Sequence, residues 1–594
     1  MAVSGGRGPG STKMHSPGKD GSCLLNSRSA VLAELGKSTR KPGKVMTAEE
    51  LGSARSNRHS FSRSMIRAAY RDSWSVSRHR FEIDEFGHGK AVYRLNTGAA
   101  VFHLVVFSRT IADDCRTDRV IAQAWDVTAA LCEGNVDEDA IDRMEPNVTV
   151  QEAGRADART LVWCRANRSV RYFDYVVDCL ASGFQPSSER VGDDSYLMRS
   201  TAFYGNGKFG LVDFDGYGDK NQLRVPYRAQ MVAAWLLREF SLDLVDHCAG
   251  LRNASAVRLN EQWRRFFGLG NATGLGLVPY LVKHPVVLDA WVSCRELALE
   301  NALRKQLYVG GADYELVVDL LDRAILHFGE RTVLSTEPFL KGPEIADKLR
   351  VVRSFITGYR ADRSVPLSAR TLHQEADLQG AETRQVVDSI LVELDSSLDE
   401  KLEAILWCDE TGSNDYRAPV LQLLEIVETA YAWALKYDFD DPKESHYFWY
   451  ISANNEEPRR RERESEDYAN KETPIDIARL VQDLRSGLAS VEPGIPIGEY
   501  LLKAPWHRQI VDRVLRLSTV TYGEAQVNLI SENFVPLDLQ RIQLAMYGME
   551  NYSPQSTDWL RVTLFSGAPR VDDVNEKKEF DWMFTLKPTE ETPV

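Results

Sequence analysis

The chain lacks the motifs by which many enzymes are recognised from sequence. It contains no H-E-x-x-H zinc motif, no nucleophile elbow, no kinase motif set and no dinucleotide-binding fingerprint. Its eight cysteines include no C-x-x-C pair, which excludes the usual zinc ribbons. The motifs therefore assign no reaction type.

Long apolar runs and excess positive charge are also missing. No stretch approaches eighteen uninterrupted apolar residues, so we expect no membrane association. The net charge of −14 disfavours general nucleic-acid binding, because such binding depends on neutralising phosphates. The N-terminus lacks the apolar core of a secretory signal, and the scattered cysteines favour reduced thiols. We therefore expect a soluble protein with a cytoplasmic location.

What is present is a large chain of ordinary globular composition. It has 594 residues, of which 43% are hydrophobic and 27% charged, so several domains are expected. The patterns predict an α+β fold that is predominantly α-helical, with a helical middle region flanked by smaller strand-containing segments. The predicted regions are a disordered basic tail (1–45), a mixed α/β region (46–220), a helical core region (221–440) and a mixed C-terminal region (441–594) with a charged loop at 453–467.

The N-terminal segment 1–45 is rich in Gly, Ser and Lys and has few large apolar residues. Such a composition cannot bury enough surface to offset its ordering entropy. A targeting segment remains an alternative, because the tail is basic and poor in acidic residues. An overextended start is another alternative, because Met46 precedes a plausible helix start.

Secondary-structure signals are clearest in three places. The run Asn96-Thr97-Gly98 between two β-rich segments predicts a hairpin. Apolar spacing predicts a helix over 119–132. A long, mostly apolar helix is predicted from Pro226 to about Ala249, with Gly250 as its stop signal.

Two glycine-rich segments are candidate ligand sites. Between Arg264 and Pro285, four glycines fall within nine positions, and Asn271 and Thr273 are the only polar side chains among them. Such a segment indicates either a ligand-facing loop or a close packing joint. The second segment, 204–210, flanks Lys208 with glycines and indicates either an anion-binding loop or a hairpin turn.

The predicted long helix carries an acidic stripe that ends in a histidine. Glu239, Asp243, Asp246 and His247 are three and four residues apart, which places them along one face. Charges in an apolar helix are costly unless they are paired or bind a cation. Asp243 and His247 are therefore candidates for acid–base catalysis, and Arg228 is a candidate for ligand binding.

The cofactor is left unknown, with a divalent metal as one possibility. The stripe with Asp243 and His247 has counterparts at Glu296 and Glu300 and at Asp319 and Asp322, which together suggest a carboxylate metal site. The Glu-x-x-His spacing of such sites does not occur in the chain. The alternative is that the acids pair with nearby arginines: Arg238, Arg295, Arg304 and Arg323.

Three strings carry a family resemblance: RTDRVIAQAWD, FYGNGKFG and GNATGLGLVPYLVKHP. They resemble those of an uncharacterised family of large, α-rich bacterial proteins, over about residues 60 to 570. The resemblance implies one continuous architecture and no catalytic residue.

Together these observations predict an enzyme that acts on a small, anionic metabolite. Lys208, Arg228, Asn271 and Thr273 are the predicted ligand-binding residues, and His247 and Asp243 the predicted catalytic pair. The alternative is a non-catalytic scaffold or regulatory protein that binds a protein partner through its helical region. The oligomeric state is left open.

Overall fold

A computed structural model provides the three-dimensional structure. It describes residues 40–588 apart from 113–123, 151–158, 194, 206–207, 210–222, 224, 226, 272–284, 331–341, 362–364, 396–413, 442–446, 452–457, 463–473, 518–521, 523–535 and 555–559. All statements below refer to this described part of the chain.

Strands from both ends of the chain build one large sheet. The described strands, in chain order, are β1 Ser75–Ile83, β2 Gly89–Asn96, β3 Val101–Ser108, β4 Val127–Glu133, β5 Thr160–Arg168, β6 Tyr196–Gly205, β7 Lys208–Phe209, β8 Gly268–Asn271, β9 Gln306–Leu307, β10 Leu367–Ser368, β11 Tyr447–Ile451, β12 Pro458–Glu462, β13 Met549–Pro554 and β14 Leu560–Leu564. Ten of them form a sheet of order β1-β2-β3-β4-β5-β6-β8-β14-β13, with β7 paired to β6. Strands β9 and β10 form a separate pair, as do β11 and β12.

Helices account for the largest share of the described residues. In chain order they are α1 Pro42–Val45, α2 Ala48–Leu51, α3 Phe61–Arg71, α4 Glu138–Val150, α5 Phe173–Ala181, α6 Arg228–Arg252, α7 Glu261–Phe266, α8 Pro285–Leu303, α9 Ala312–Gly329, α10 Gly342–Ala361, α11 Ala369–Leu378, α12 Ala381–Val392, α13 Val420–Ala430, α14 Ala432–Leu435, α15 Pro474–Ala489, α16 Ile497–Lys503, α17 Arg508–Leu517, α18 Pro536–Tyr547 and α19 Val571–Asn575. The long helix α6 is buried along most of its length and packs against β6 and β8.

The fold is mixed α+β, as predicted, with a larger share of sheet than expected. Helices account for 53% and strands for 15% of the described residues, so the helical predominance is modest. The predicted hairpin at Asn96 is confirmed by the antiparallel pairing of β2 and β3. The domain boundaries stay a prediction; the main core combines residues from Val45 to Trp582.

Two predicted segments differ from the structure. The helix expected over 119–132 is wrong, because residues Val127–Glu133 form strand β4. This strand lies between two others, and all but its last residue are buried, so its apolar residues show no alternation. The charged loop expected at 453–467 contains strand β12, which pairs with β11.

The structure describes only the last residues of the predicted N-terminal tail. Residues 1–39 lie outside the described residues, whereas 40–45 are described. Val45 is buried in the main core, and the Tyr522 hydroxyl donates a hydrogen bond to the Arg40 carbonyl at 2.7 Å. The end of the predicted tail is therefore packed against the folded protein.

A smaller core lies among the helices of the middle region. It contains apolar residues of α9, α10, α11 and α12, joined by Met583 and Phe584 from near the C-terminus. Within the described ranges, no helix is long and apolar enough to cross a membrane.

Candidate functional site

The glycine-rich segment at 204–210 forms a strand pair in its described part. Gly205 of β6 is paired with Lys208 of β7 in antiparallel register, and residues 206, 207 and 210 lie outside the described residues. This pairing matches the hairpin alternative. Ligand contact by Lys208 stays a prediction.

The second glycine-rich segment enters the same sheet as β8. It lies parallel to β6, with Gly270 paired to Arg199 and Asn271 to Ser200. A Cβ on Gly270 would come 2.6 Å from the Tyr196 ring, and one on Gly268 would come 2.7 Å from the Leu564 carbonyl oxygen. These two glycines therefore permit close packing, which matches the packing-joint alternative for this segment.

Asn271, at the end of β8, lies beside a buried hydroxyl that lacks a partner. Ser200 is fully buried, and its Oγ has no hydrogen-bond partner in the described part of the chain. Buried polar atoms normally have a partner, so an unsatisfied one calls for a ligand, a water or a structural explanation. The other predicted ligand residue of this segment, Thr273, lies outside the described residues.

The first turn of α6 carries the predicted ligand residue Arg228. This arginine is buried, and so is Gln230, whose Nε2 has no hydrogen-bond partner among the described residues. The preceding Tyr227 has a φ of 60°, and its ring contacts that of Phe61 at a centroid distance of 5.0 Å. The first turn of α6 therefore carries two buried polar side chains, Arg228 and Gln230.

The predicted catalytic pair lies far from Arg228 on the same helix. At about 1.5 Å per residue, His247 is about 28 Å further along α6. One small ligand cannot contact both ends of such a helix. The structure therefore does not join Asp243 and His247 with Arg228 into a single small-molecule site.

Asp243 and His247 each bind other parts of the protein. The Asp243 carboxylate accepts a hydrogen bond from the Tyr93 hydroxyl at 2.7 Å and pairs with Arg264 at 3.3 Å. His247 Nε2 lies 2.8 Å from the Ile83 carbonyl oxygen, and its ring packs against Phe81. Burial, followed by the Asp243 charge, raises the pKa of Tyr93 well above its ordinary value. These contacts fasten α6 to β1, β2 and α7.

Glu239, the first residue of this stripe, forms a buried ion pair with Arg238. Burial lowers the pKa of Arg238 to about 10. Burial also raises the pKa of Glu239, and the charges of Arg238 and Arg570 oppose this rise. Arg238 Nε donates to the Phe267 carbonyl at 2.7 Å, and Nη2 donates to the carbonyls of Arg264 and Arg265. Arg238 therefore satisfies the last carbonyls of α7 and positions the start of β8.

The three acidic faces proposed for a metal have separate partners. Glu296 binds Arg40 through two hydrogen bonds of 2.7 Å. Asp322 binds Arg353 through two hydrogen bonds of 2.7 and 3.1 Å. No group of three or more His, Cys, Asp or Glu residues in the described ranges is arranged to hold a metal ion. The arrangement matches the arginine-pairing alternative, although with partially different arginines.

Sequence reasoning missed a polar segment in the protein interior. Every residue from Gly52 to Ser64 is buried, including several that are normally exposed: Ser53, Arg55, Ser56, Asn57, Arg58, His59, Ser60, Ser62, Arg63 and Ser64. Irregular segments usually run over the surface, because their backbone groups need water. The available signal was the absence of any acidic residue between Glu50 and Asp72, in a stretch rich in Arg and Ser.

This segment lines a cavity that also contains three arginines. The cavity has a volume of about 50 Å³, and Arg40, Arg295 and Arg384 contribute to its wall. Gly52, Ser53 and Asn57 of the polar segment lie along one side, and Gln385, Asp388 and Ser389 of α12 along another.

Comparison with protein-family models, with curated proteins and with solved structures finds no match to this chain. The resemblance carried by the three sequence strings is therefore without a matching family model. Function has to be argued from the side chains themselves.

Proposed function

We propose that the protein is a cytoplasmic enzyme that acts on a small, anionic metabolite bound beside the first half of α6. The observation that carries this proposal is a pair of buried polar groups with no hydrogen-bond partner among the described residues, the Ser200 hydroxyl of β6 and the Gln230 Nε2 of α6. Helix α6, which carries Gln230, packs against β6, which carries Ser200. Asn271 is paired with Ser200 on the neighbouring strand.

Physical chemistry links this region to an anionic ligand. A buried donor left unsatisfied costs about 1–3 kcal/mol, which a ligand oxygen can recover by accepting its hydrogen bond. Arg228 lies in the first turn of α6, where the backbone N–H groups also favour negative charge. Hydroxyl, amide and guanidinium donors together suit a carboxylate or phosphate group. Asp243 and His247 do not belong to this site, because they lie too far along α6.

A matched pair of serine variants tests the proposal. Ser200 and Ser566 are both fully buried, but the Ser566 hydroxyl donates to the Phe266 carbonyl at 2.8 Å. Ser566→Ala should lower the free energy of unfolding by about 1 kcal/mol, whereas Ser200→Ala should leave it unchanged or raise it.

Ligand binding is then measured by thermal shift against carboxylates, phosphomonoesters and nucleotides. We expect at least one anion to stabilise the wild type and Ser566→Ala, and to lose most of that effect in Ser200→Ala and Gln230→Leu. Equal stabilisation of all four proteins would place the ligand elsewhere. No stabilisation by any anion would favour the alternative of a scaffold.

The scaffold alternative concerns the helical middle region. Large apolar side chains are exposed there, including Leu326 of α9, Val351 of α10 and Leu378 of α11. Exposed apolar residues are ordinary when scattered, and contiguous patches mark protein interfaces. Replacing these three residues with serine should abolish partner binding by a scaffold and leave small-anion binding by an enzyme unchanged.

A further inference from the structure

The cavity beside the buried polar segment combines fixed guanidinium groups with free space. Arg40, Arg295 and Arg384 line it, together with the carboxylates of Glu50 and Asp388. Glu296 binds Arg40 and Arg295, and Asp377 binds Arg384, so the arginines contribute fixed hydrogen-bond donors and not a net positive charge. A water molecule needs about 10–15 Å³ of such space, so a cavity of about 50 Å³ accommodates a few waters or one small oxyanion.

The three guanidinium groups are held in position by neighbours in the cavity wall and beside it. Glu50 accepts hydrogen bonds from Arg40 at 2.7 Å and from Arg384 at 2.8 Å. Arg295 Nη1 donates to the Leu51 carbonyl at 2.9 Å, and its guanidinium stacks over the Trp291 ring. Such fixed groups lose little side-chain entropy when a ligand binds.

Donors remain after these contacts. A guanidinium carries five N–H bonds, and the hydrogen bonds formed use three of those of Arg40 and two each of those of Arg295 and Arg384. Arginine is the residue that best matches the planar, two-oxygen faces of carboxylate and phosphate.

A buried histidine next to the cavity indicates positive potential in this region. The His59 backbone N–H donates to Asn57 Oδ1, and its carbonyl accepts from Trp291 Nε1; both Asn57 and Trp291 line the cavity. Neither ring nitrogen of the fully buried His59 has a hydrogen-bond partner within the described part of the chain. Burial lowers the pKa of His59 well below its ordinary value, and the charges of Arg67, Arg58 and Arg295 lower it further.

We infer that the cavity lined by Arg40, Arg295 and Arg384 is a binding site for one tetrahedral oxyanion, either free phosphate or the phosphate group of a phosphomonoester. This inference goes beyond the proposed function, because the cavity shares no residue with the region of Ser200 and Gln230. The Ser53 and Ser389 hydroxyls of the wall lie 3.0 Å apart and bind each other and nearby backbone groups, so the guanidiniums carry the proposed recognition.

The test uses the full chain, with inorganic phosphate and glycerol phosphate as probes in isothermal titration calorimetry. Arg384→Gln removes a guanidinium from the wall. Gln385→Glu adds a negative charge and keeps an acceptor for Arg541, which binds the Gln385 side-chain oxygen, so this variant should stay folded. Arg353→Gln is the control, because Arg353 is also partly buried, at 26% against 14% for Arg384, and binds the Asp322 carboxylate, but it does not line the cavity.

We expect phosphate binding at the cavity to be at least tenfold weaker in Arg384→Gln and Gln385→Glu and unchanged in Arg353→Gln. Tighter binding of glycerol phosphate than of phosphate would identify a phosphomonoester as the ligand, and the reverse order would identify free phosphate. Unchanged affinity in Gln385→Glu, or no binding of either probe at millimolar concentration, would overturn the inference. Anion binding lost only in Ser200→Ala would support the α6 site and exclude this one.

Discussion

Glycine positions show how single residues control the close approach of strands in this protein. Gly270 of β8 faces the Tyr196 ring, where a Cβ would lie 2.6–2.8 Å from three ring atoms. Both partners belong to the sheet, so neither can move without disturbing the pairing of β6 and β8. At a glycine in open space, an added Cβ would meet no atom, and only the change in backbone entropy would affect the free energy of unfolding.

The variant Gly270→Ala should therefore lower the free energy of unfolding by about 1–3 kcal/mol, because the added methyl group overpacks the Tyr196 contact. Gly358→Ala is the control: this glycine lies in α10 and is exposed, with no atom within 4 Å of an added Cβ. Alanine there should raise the free energy of unfolding by about 0.5–1 kcal/mol. Chemical denaturation of both variants measures the difference, and two changes of the same sign would contradict the packing role.

Secondary elements were predictable where one feature of the sequence dominates. The helix from Arg228 to Arg252 follows from its apolar residues, and the β2–β3 hairpin from the turn at Asn96. Strand β4 was not predictable, because an apolar strand buried on both faces resembles a short helical stretch.

The candidate site was predictable only in part. Ser200 and Asn271 meet through strand pairing between residues 71 positions apart, which local patterns do not encode. The distance from Arg228 to His247 was available from the sequence, since both belong to one predicted helix. The buried polar segment Gly52–Ser64 was missed because its composition suggests exposure.

The contact of α6 with α7 and β8 depends on one buried arginine. Arg238 donates to the carbonyls of Arg264, Arg265 and Phe267, at the end of α7. Replacing it with methionine keeps the apolar stem, removes these hydrogen bonds and removes one of the two arginines that pair with the buried Glu239, the other being Arg570 at 3.6 Å. A buried charge that loses its partner costs about 3–5 kcal/mol.

We expect Arg238→Met to lower the free energy of unfolding by about 3 kcal/mol or more. Arg252→Met at the far end of α6 is the comparison, because Arg252 is 46% exposed and pairs with the exposed acids Asp174 and Asp178. Loss of the Arg252 ion pairs should lower the free energy of unfolding by about 0–1 kcal/mol. Denaturant titration of both variants measures these changes in the free energy of unfolding. Equal decreases in the two variants would show that contacts other than those of Arg238 hold α7 in place.

At the scale of the whole molecule, distant parts of the chain share one interior. Strands β13 and β14, from near the C-terminus, extend the sheet that β1 to β6 begin. The smaller core of the middle helices includes Met583 and Phe584. Glu50, near the N-terminus, binds Arg384 of α12 and so connects residues 334 positions apart. Removing such a connection should be measurable in the unfolding of the entire protein.

Glu50 also makes this connection dependent on pH. Burial by itself would raise the pKa of Glu50, but the charges of Arg40 and Arg384 outweigh it and hold the pKa below its ordinary value of 4.5. A carboxyl group with a lowered pKa in the folded state stabilises the fold above its unfolded-state pKa. That stability is lost as the pH falls through the folded-state value.

The variant Glu50→Gln should therefore be less stable than the wild type at pH 7, by about 2 kcal/mol, because two guanidinium hydrogen bonds lose their charged acceptor. The difference should remain constant down to about pH 4.5 and shrink below it, since the wild-type carboxyl then becomes protonated. Glu499→Gln serves as the control, because Glu499 is 49% exposed and pairs with the exposed Lys503. Thermal unfolding from pH 7 to pH 3 measures both variants. A wild-type advantage that persists at pH 3 would mean that packing, and not the charge of Glu50, connects the N-terminal segment to α12.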